Sequence, residues 1–236
     1  MSGIVGSRLN SLGSGIVGKL GSDGQLLTSA GAGKSIVFEA APSGGGDIGF
    51  GGDTFGEAKV IGSNDNYSLS LETAGNTAMT VDESGATTKP LQPAFLAVPA
   101  AAQDNLTEGS QNTIVLGTEV FDIGGDFTSN TFTAPVAGKY YFNVRITIAE
   151  LDHDAAWYSV GRLVTSNNEQ YTGYAVRDFC DEEPEAFSYV VDATVDMDAS
   201  DTAYAAWVIS GGGGSYEDVY DSGNVEFTSF GGVLLT

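Results

Sequence analysis

The chain has 236 residues, with 33 Gly and one Cys, and carries 31 Asp and Glu against 9 Lys and Arg for a net charge of −22. Such acidity repels phosphate backbones and excludes nucleic acid as a partner. The glycines keep no Gly-X-Y period, which excludes collagen, and no apolar window is long enough for a transmembrane helix, so no membrane insertion is expected.

The first 35 residues are locally basic, with Arg8, Lys19 and Lys34 against Asp23 alone, and they contain a repeat. Ser2-Gly-Ile-Val-Gly6 returns as Ser14-Gly-Ile-Val-Gly18, each copy a short apolar run between glycines. So short a segment buries no core of its own. The pattern predicts docking on a partner, by strand addition or by seating Ile4, Val5, Ile16 and Val17 in a groove. The N-terminus lacks a charged stretch followed by a long apolar core, so no standard signal peptide is expected, which fits a protein assembled inside a cell and released by other means. The opening GIVGSRLN, the repeat, and the run from Leu20 to Gly33 resemble N-termini of structural proteins of marine bacteriophages. In that family the string precedes fibre or other appendage sequences.

Residues 36–92 read as a β connector. Ser35–Glu39 predicts a strand, and a glycine loop follows. Lys59–Ile61 predicts a short strand; Tyr67, Leu69 and Leu71 share one face of the next, and Met79 and Val81 one face of a third. Thr73-Ala-Gly-Asn76 and Asp82-Glu-Ser-Gly85 are turns. Strands this short with one apolar face do not stand alone, and three chains packed together would bury those faces. The string from Gly75 through Met79, Val81, Gly85 and Pro90 to Phe95 resembles the connector that leads into receptor-binding heads of phage fibres.

Pro90 and Pro93 mark the boundary of a third region, 93–236, which holds 22 acidic residues against four basic ones. Strand-like runs follow at Ala94–Val98, Thr113–Leu116, Thr118–Phe121, Phe127–Thr133, Lys139–Ile148, Ala156–Val164, Glu169–Val176, Ala186–Val195, Thr202–Ile209 and Asn224–Leu235. Their spacing, without helical periodicity, predicts an all-β sandwich or jelly roll. The most informative stretch is Phe132-Thr-Ala-Pro-Val-Ala-Gly-Lys-Tyr-Tyr-Phe142. Pro135 and Gly138 force a corner, and Tyr140, Phe142, Val144, Ile146 and Ile148 then recur at every second position. Phe132, Gly138, Tyr140 and Phe142, with Phe230 and Gly231 in the closing strand, resemble the signature of the C1q/TNF-like jelly-roll family. The resemblance implies a C1q-like jelly-roll head, these six residues as its motif core, and a homotrimer.

Candidate chemistry is sparse. Gly31-Ala-Gly-Lys-Ser35 imitates a phosphate loop, but Thr28 stands where the first Gly belongs. Gly44-Gly-Gly-Asp47 and Gly51-Gly-Asp53 read as loop, since the nine-residue calcium repeat is not met. His153 is the single histidine and no nucleophile elbow exists, so no Ser-His-Asp site is expected. Acidic pairs are too numerous to single out a glycosidase couple. The chain reads as a non-enzyme without a cofactor. Cys180 has no intrachain partner, and is either an incidental thiol or an interchain bridge. Asp152 and Asp154 flank His153 in an acidic loop that offers oxygen ligands to Ca²⁺, as do Asp178, Asp181, Glu182 and Glu183. Family resemblance implies calcium near the threefold axis of several such heads. Trp157, Tyr158, Tyr171, Tyr174, Phe179 and Trp207 read as core or trimer interface. Tyr216 and Tyr220, after the run Gly211–Gly214, read as a loop apex for a host surface glycan or protein.

Together the resemblances imply a bacteriophage virion structural protein: a trimeric tail fibre or appendage with a receptor-binding head for host adhesion. Residues 1–35 would dock on other virion proteins, 36–92 form the connector and 93–236 the head. The alternatives are a head fibre or capsid decoration protein, and a bacterial C1q-like secreted or surface protein.

Overall fold

The computed structural model describes residues 25–29, 36–40, 56, 58–149, 157–167, 170–176, 186–210, 218–219 and 227–236. Its regular elements are all strands, and the chain divides into two compact units, Met1–Ile61 and Gly62–Thr236. In the first unit β1 (Gln25–Ser29) pairs antiparallel with β2 (Ile36–Ala40), Gln25 against Ala40 and Ser29 against Ile36. β2 lies within one residue of the strand expected at Ser35–Glu39. β1 was not expected, because the glycines around Leu26-Leu27-Thr28 hid a short strand former.

The second unit opens with a three-stranded antiparallel sheet of β3 (Leu69–Thr73), β4 (Asn76–Val81) and β5 (Thr87–Thr88). Ala74 and Gly75 join β3 to β4 with φ of 51° and 77°, the two positive values of a type I′ hairpin. The second turn is built by Asp82, whose Oδ1 accepts from the Ser84 and Ala86 amides, each at 2.8 Å, and from Ser84 Oγ at 2.7 Å. Leu69 and Leu71 stand opposite Val81 and Met79, so one face is apolar. Two expected features are corrected. Lys59–Ile61 forms no strand, and Tyr67 precedes β3 instead of sharing its face. Bends at 64–66 and the Tyr67 amide's bond to Asp65 O at 2.9 Å turn the chain off the ladder there.

The head is built from β6 (Ala94–Val98), β7 (Gln111–Thr113), β8 (Thr118–Ile123), β9 (Phe127–Thr128), β10 (Thr131–Thr133), β11 (Gly138–Ala149), β12 (Tyr158–Thr165), β13 (Gln170–Val176), β14 (Ala186–Met197), β15 (Thr202–Ser210), β16 (Asp218–Val219) and β17 (Ser229–Leu234). One antiparallel sheet runs β13-β12-β15-β10-β9, with β7 also on β15. The other runs β14-β11-β17-β6-β8, with β16 also on β11. Every connection except β9–β10, β12–β13 and β16–β17 carries the chain from one sheet to the other, and β6 and β17 lie side by side. That winding is a jelly roll, and the fold is an all-β sandwich.

The alternation of β11 puts Tyr140, Phe142, Val144, Ile146 and Ile148 fully inside, against Tyr189, Val191, Ala193, Val195 and Met197 of β14 and Trp207 of β15. Several expected strands are shorter than the pattern implied. One is Asn224–Leu235, strand among its described residues only over Ser229–Leu234, and two others show the cause. Phe127–Thr133 is broken by Ser129 and Asn130, with φ of 50° and 65°, into the hairpin β9–β10. Thr113–Leu116 is strand only at Thr113. Beyond it the Val115 amide donates to Gln103 Oε1 at 3.0 Å and the Leu116 amide to Asn130 Oδ1 at 2.7 Å. Side chains there do the work of a neighbouring strand.

Candidate interaction surfaces

The motif residues form packing, not a surface. Phe132, Tyr140, Phe142 and Phe230 point into the sandwich with Phe95 and Phe127. The Phe95 ring centroid lies 4.9 Å from each of Phe127, Phe132 and Phe230, and Phe142 lies 5.6 Å from Phe132. Tyr140 OH donates to Val136 O at 2.8 Å across the corner, and burial pushes its phenol above the ordinary value. Gly138 is required by close approach, since a Cβ there would sit 2.6 Å from Thr236 O. At Gly231 a Cβ would sit 3.2 Å from Phe95 O, and at Gly232 2.5 Å from Phe142 Cδ1.

Ile4, Val5, Ile16, Val17, Asp152, Asp154, Tyr216 and Tyr220 lie outside the described residues, as do His153, Cys180, Asp178, Asp181, Glu182 and Glu183. Among the described residues no group of three His, Cys, Asp or Glu side chains comes together. The described chemistry is on the two outer faces of the sandwich.

On the β14-β11-β17-β6-β8 sheet, one cross-strand row reads Asp192, Asn143, Gly231, Leu96, Phe121. Its neighbour reads Thr194, Tyr141, Val233, Ala94, Ile123. One end is polar. Asp192 Oδ1 accepts from Tyr141 OH at 2.9 Å and from Asn143 Nδ2 at 2.5 Å. That bond and the carboxylate's charge raise the Tyr141 phenol. The other end is apolar, with Phe121 47% exposed and Val120 beside it. Lys139 and Asp196, 3.6 Å apart, make an exposed ion pair that adds little stability.

The opposite sheet differs in charge. Its six strands contain no Asp or Glu, and Arg162 is their one charged residue. Outward-facing rows read Tyr174, Val160, Val208, Gln111 and Thr172, Arg162, Ala206, Thr113. Tyr174 stacks on its diagonal neighbour Tyr158, centroids 5.6 Å apart at 17°. Arg162 Nη1 donates to Gln111 Oε1 at 3.1 Å, and Gln111 Nε2 donates to Tyr204 OH at 2.9 Å. Of the aromatics expected in core or interface, Trp207 is core and Tyr171 packs against it, whereas Tyr174 and Trp157 are 60% and 67% exposed. Sequence reading missed Arg162, Gln111 and Tyr204 as a group. Its available signal was the acid-free composition of these strands.

A mainly apolar groove of about 610 Å³ lies where Leu91 and Pro93 meet Pro135, Val136, Leu234 and Leu235. Asp126 lines it, and burial, with the nearby Asp122 charge, raises that carboxyl.

No protein-family model matches the chain, and no curated protein matches it. Among solved structures it is similar to the globular domain of zebrafish complement 1qA protein, at 17% identity and a TM-score of 0.42, over 61% of this chain and 98% of that one. It is also similar to murine APRIL, at 11% identity and a TM-score of 0.44, over 61% and 99% of the two chains. The jelly-roll assignment rests on the strand order and registers given above.

Proposed function

We propose that the chain is a homotrimeric, non-enzymatic adhesion protein of a bacteriophage virion, its jelly-roll head presented to the host surface. The observation that carries the trimer is uncovered apolar surface on two parts of one unit. Leu71, on the apolar face of β3 and β4, is 59% exposed. Phe121 and Val120, with the half-buried Leu96 opposite Phe121, form the apolar end of a head sheet. Contiguous apolar patches on a soluble protein mark contact sites, and copies related by a threefold axis would cover both. The viral assignment is supported by the N-terminal repeat and by the Gly75–Phe95 string, both similar to phage appendage sequences. Several heads on one particle would turn weak single contacts into firm adhesion. Calcium held by Asp152 and Asp154 belongs to this reading as a stabiliser of the trimer, without a role in chemistry.

Cryo-EM of purified particles tests the reading. Trimers rooted in the tail by residues 1–35 are the expected result. Density on the capsid would replace adhesion by head-fibre attachment or decoration. Absence from the particle would overturn both and leave a cellular C1q-like protein.

A further inference from the structure

We propose that the outer face of the β13-β12-β15-β7 sheet is a binding platform for a neutral hexopyranose unit, centred on Tyr174, Arg162 and Gln111. The inference rests on the adhesion reading and gives it a site.

The face is unusual for this chain. Asp and Glu supply 31 of 236 residues, yet none stands in these strands. In so acidic a chain, strands free of carboxylates suit contact, where charge is depleted and Tyr and Arg are enriched. Beneath the polar groups lies a packed floor. Val160 and Val208 point outward yet are nearly inaccessible, and Ala206 is fully covered. The side chains above them are therefore held, not free. Arg162 is tied by Gln111, and Gln111 by Tyr204. Arg162 Nε is buried and has no hydrogen-bond partner among the described residues. A charged group kept with a buried, unpartnered donor costs stability, which is tolerated at working sites.

The chemistry selects the ligand. The exposed ring of Tyr174, backed by Tyr158, offers a flat apolar surface to the C–H face of a pyranose. Beside it a planar guanidinium, an amide and a phenol supply fixed donors and acceptors for hydroxyl groups. A protein partner would need roughly 20–30 residues a side, far more than this platform presents. Polyanionic glycans are disfavoured by the net charge of −22, which no single guanidinium offsets.

The test is titration of the full chain with maltohexaose, mannohexaose and galactohexaose, with hexamannuronate as the anionic control. At least one neutral hexaose is expected to bind, and Tyr174→Ala to weaken it by about tenfold or more. Tyr174→Phe keeps the ring and should stay near wild type. Arg162→Lys loses the planar fork and should weaken binding. Tyr141→Ala, on the opposite sheet, should change nothing. Unchanged thermal unfolding of each variant keeps the comparison clean. No neutral binding, tighter hexamannuronate binding, or a wild-type response from Tyr174→Ala would each overturn the platform. Particle-bound trimers that fail to bind sugar would sink this assignment alone. Sugar binding by a chain absent from particles would instead sink the viral adhesion reading.

Discussion

Gly232→Ala is the sharpest test of the core. An added Cβ at Gly232 would lie 2.5 Å from Phe142 Cδ1, 2.7 Å from Phe142 Cε1 and 2.8 Å from Phe95 Cε1. All three distances are below any real Cβ contact, and neither ring has room to retreat. Phe142 sits between Phe132 and Phe230, and Phe95 between Phe127 and Phe132. Overpacking of this kind costs about 1–3 kcal/mol, and the closed aromatic cluster puts Gly232→Ala at the upper end of that range or above it. For a unit of this size each kcal/mol moves the midpoint by roughly 2–4 °C, so a loss of about 5–12 °C is expected. Gly62→Ala, which meets nothing within 4 Å, is the matched control. Urea unfolding of Gly232→Ala, Phe142→Leu and the double variant gives the coupling. The smaller Leu should relieve the clash, making the double variant more stable than additivity predicts by about 1 kcal/mol. A Gly232→Ala protein within about 0.5 kcal/mol of wild type would refute the packing argument, since surface substitutions do no more than that.

Asn130→Ala should cost about 1–3 kcal/mol, since it loses both a residue suited to φ 65° and the acceptor for the Leu116 amide; Asn130→Gly keeps the first and should cost less, by thermal denaturation. Tyr140→Phe removes the bond to Val136 O and should cost about 1 kcal/mol in urea. At acid pH, Asp82 and Asp201 titrate below the ordinary value of 3.8, held down chiefly by the Ser84 and Ser166 hydroxyls. Their stabilising contribution is present above that value and is lost as pH falls through the lowered ones, so Asp82→Asn should flatten the acid limb of a stability profile. At alkaline pH the raised Tyr141 phenol contributes stability below 10.0 that is lost as pH rises through its folded value. Asp192→Asn should bring that phenolate in at lower pH in an absorbance titration. Leu71→Asp should lower the mass measured by light scattering, and an unchanged mass would remove the β3–β4 face from the trimer contact.

Elements whose information is local were legible in the sequence. Alternation from Tyr140 to Ile148 specified one buried face, because successive side chains on a strand point to opposite sides. The Gly75-Asn76 and Asp82 turns were readable because positive φ and short-range acceptors favour few residue types, although Ala74 at φ 51° is not one of them. Pro135 and Gly138 marked the corner for the same reason. What failed was pairing. Whether Lys59–Ile61 or Thr113–Leu116 becomes a strand depends on a neighbour's backbone, which no run of side chains encodes. Gly231 stood out by resemblance, yet Gly232 meets the tighter contact, and only the position of Phe142 across the sheet decides that.

The outer-face platform shows the same division. Composition alone determined that the protein is acidic and glycine-rich, and the spacing of its strand-like runs that it is all-β. Neither could bring Gln111, Arg162, Tyr174 and Tyr204 together, since they come from four strands of which only β12 and β13 are consecutive in the chain. Their meeting follows from jelly-roll winding, which lays distant strands side by side through backbone hydrogen bonds whose register is set by the buried faces. The sequence determines which side chains must be inside; the tertiary structure decides which of those left outside become neighbours.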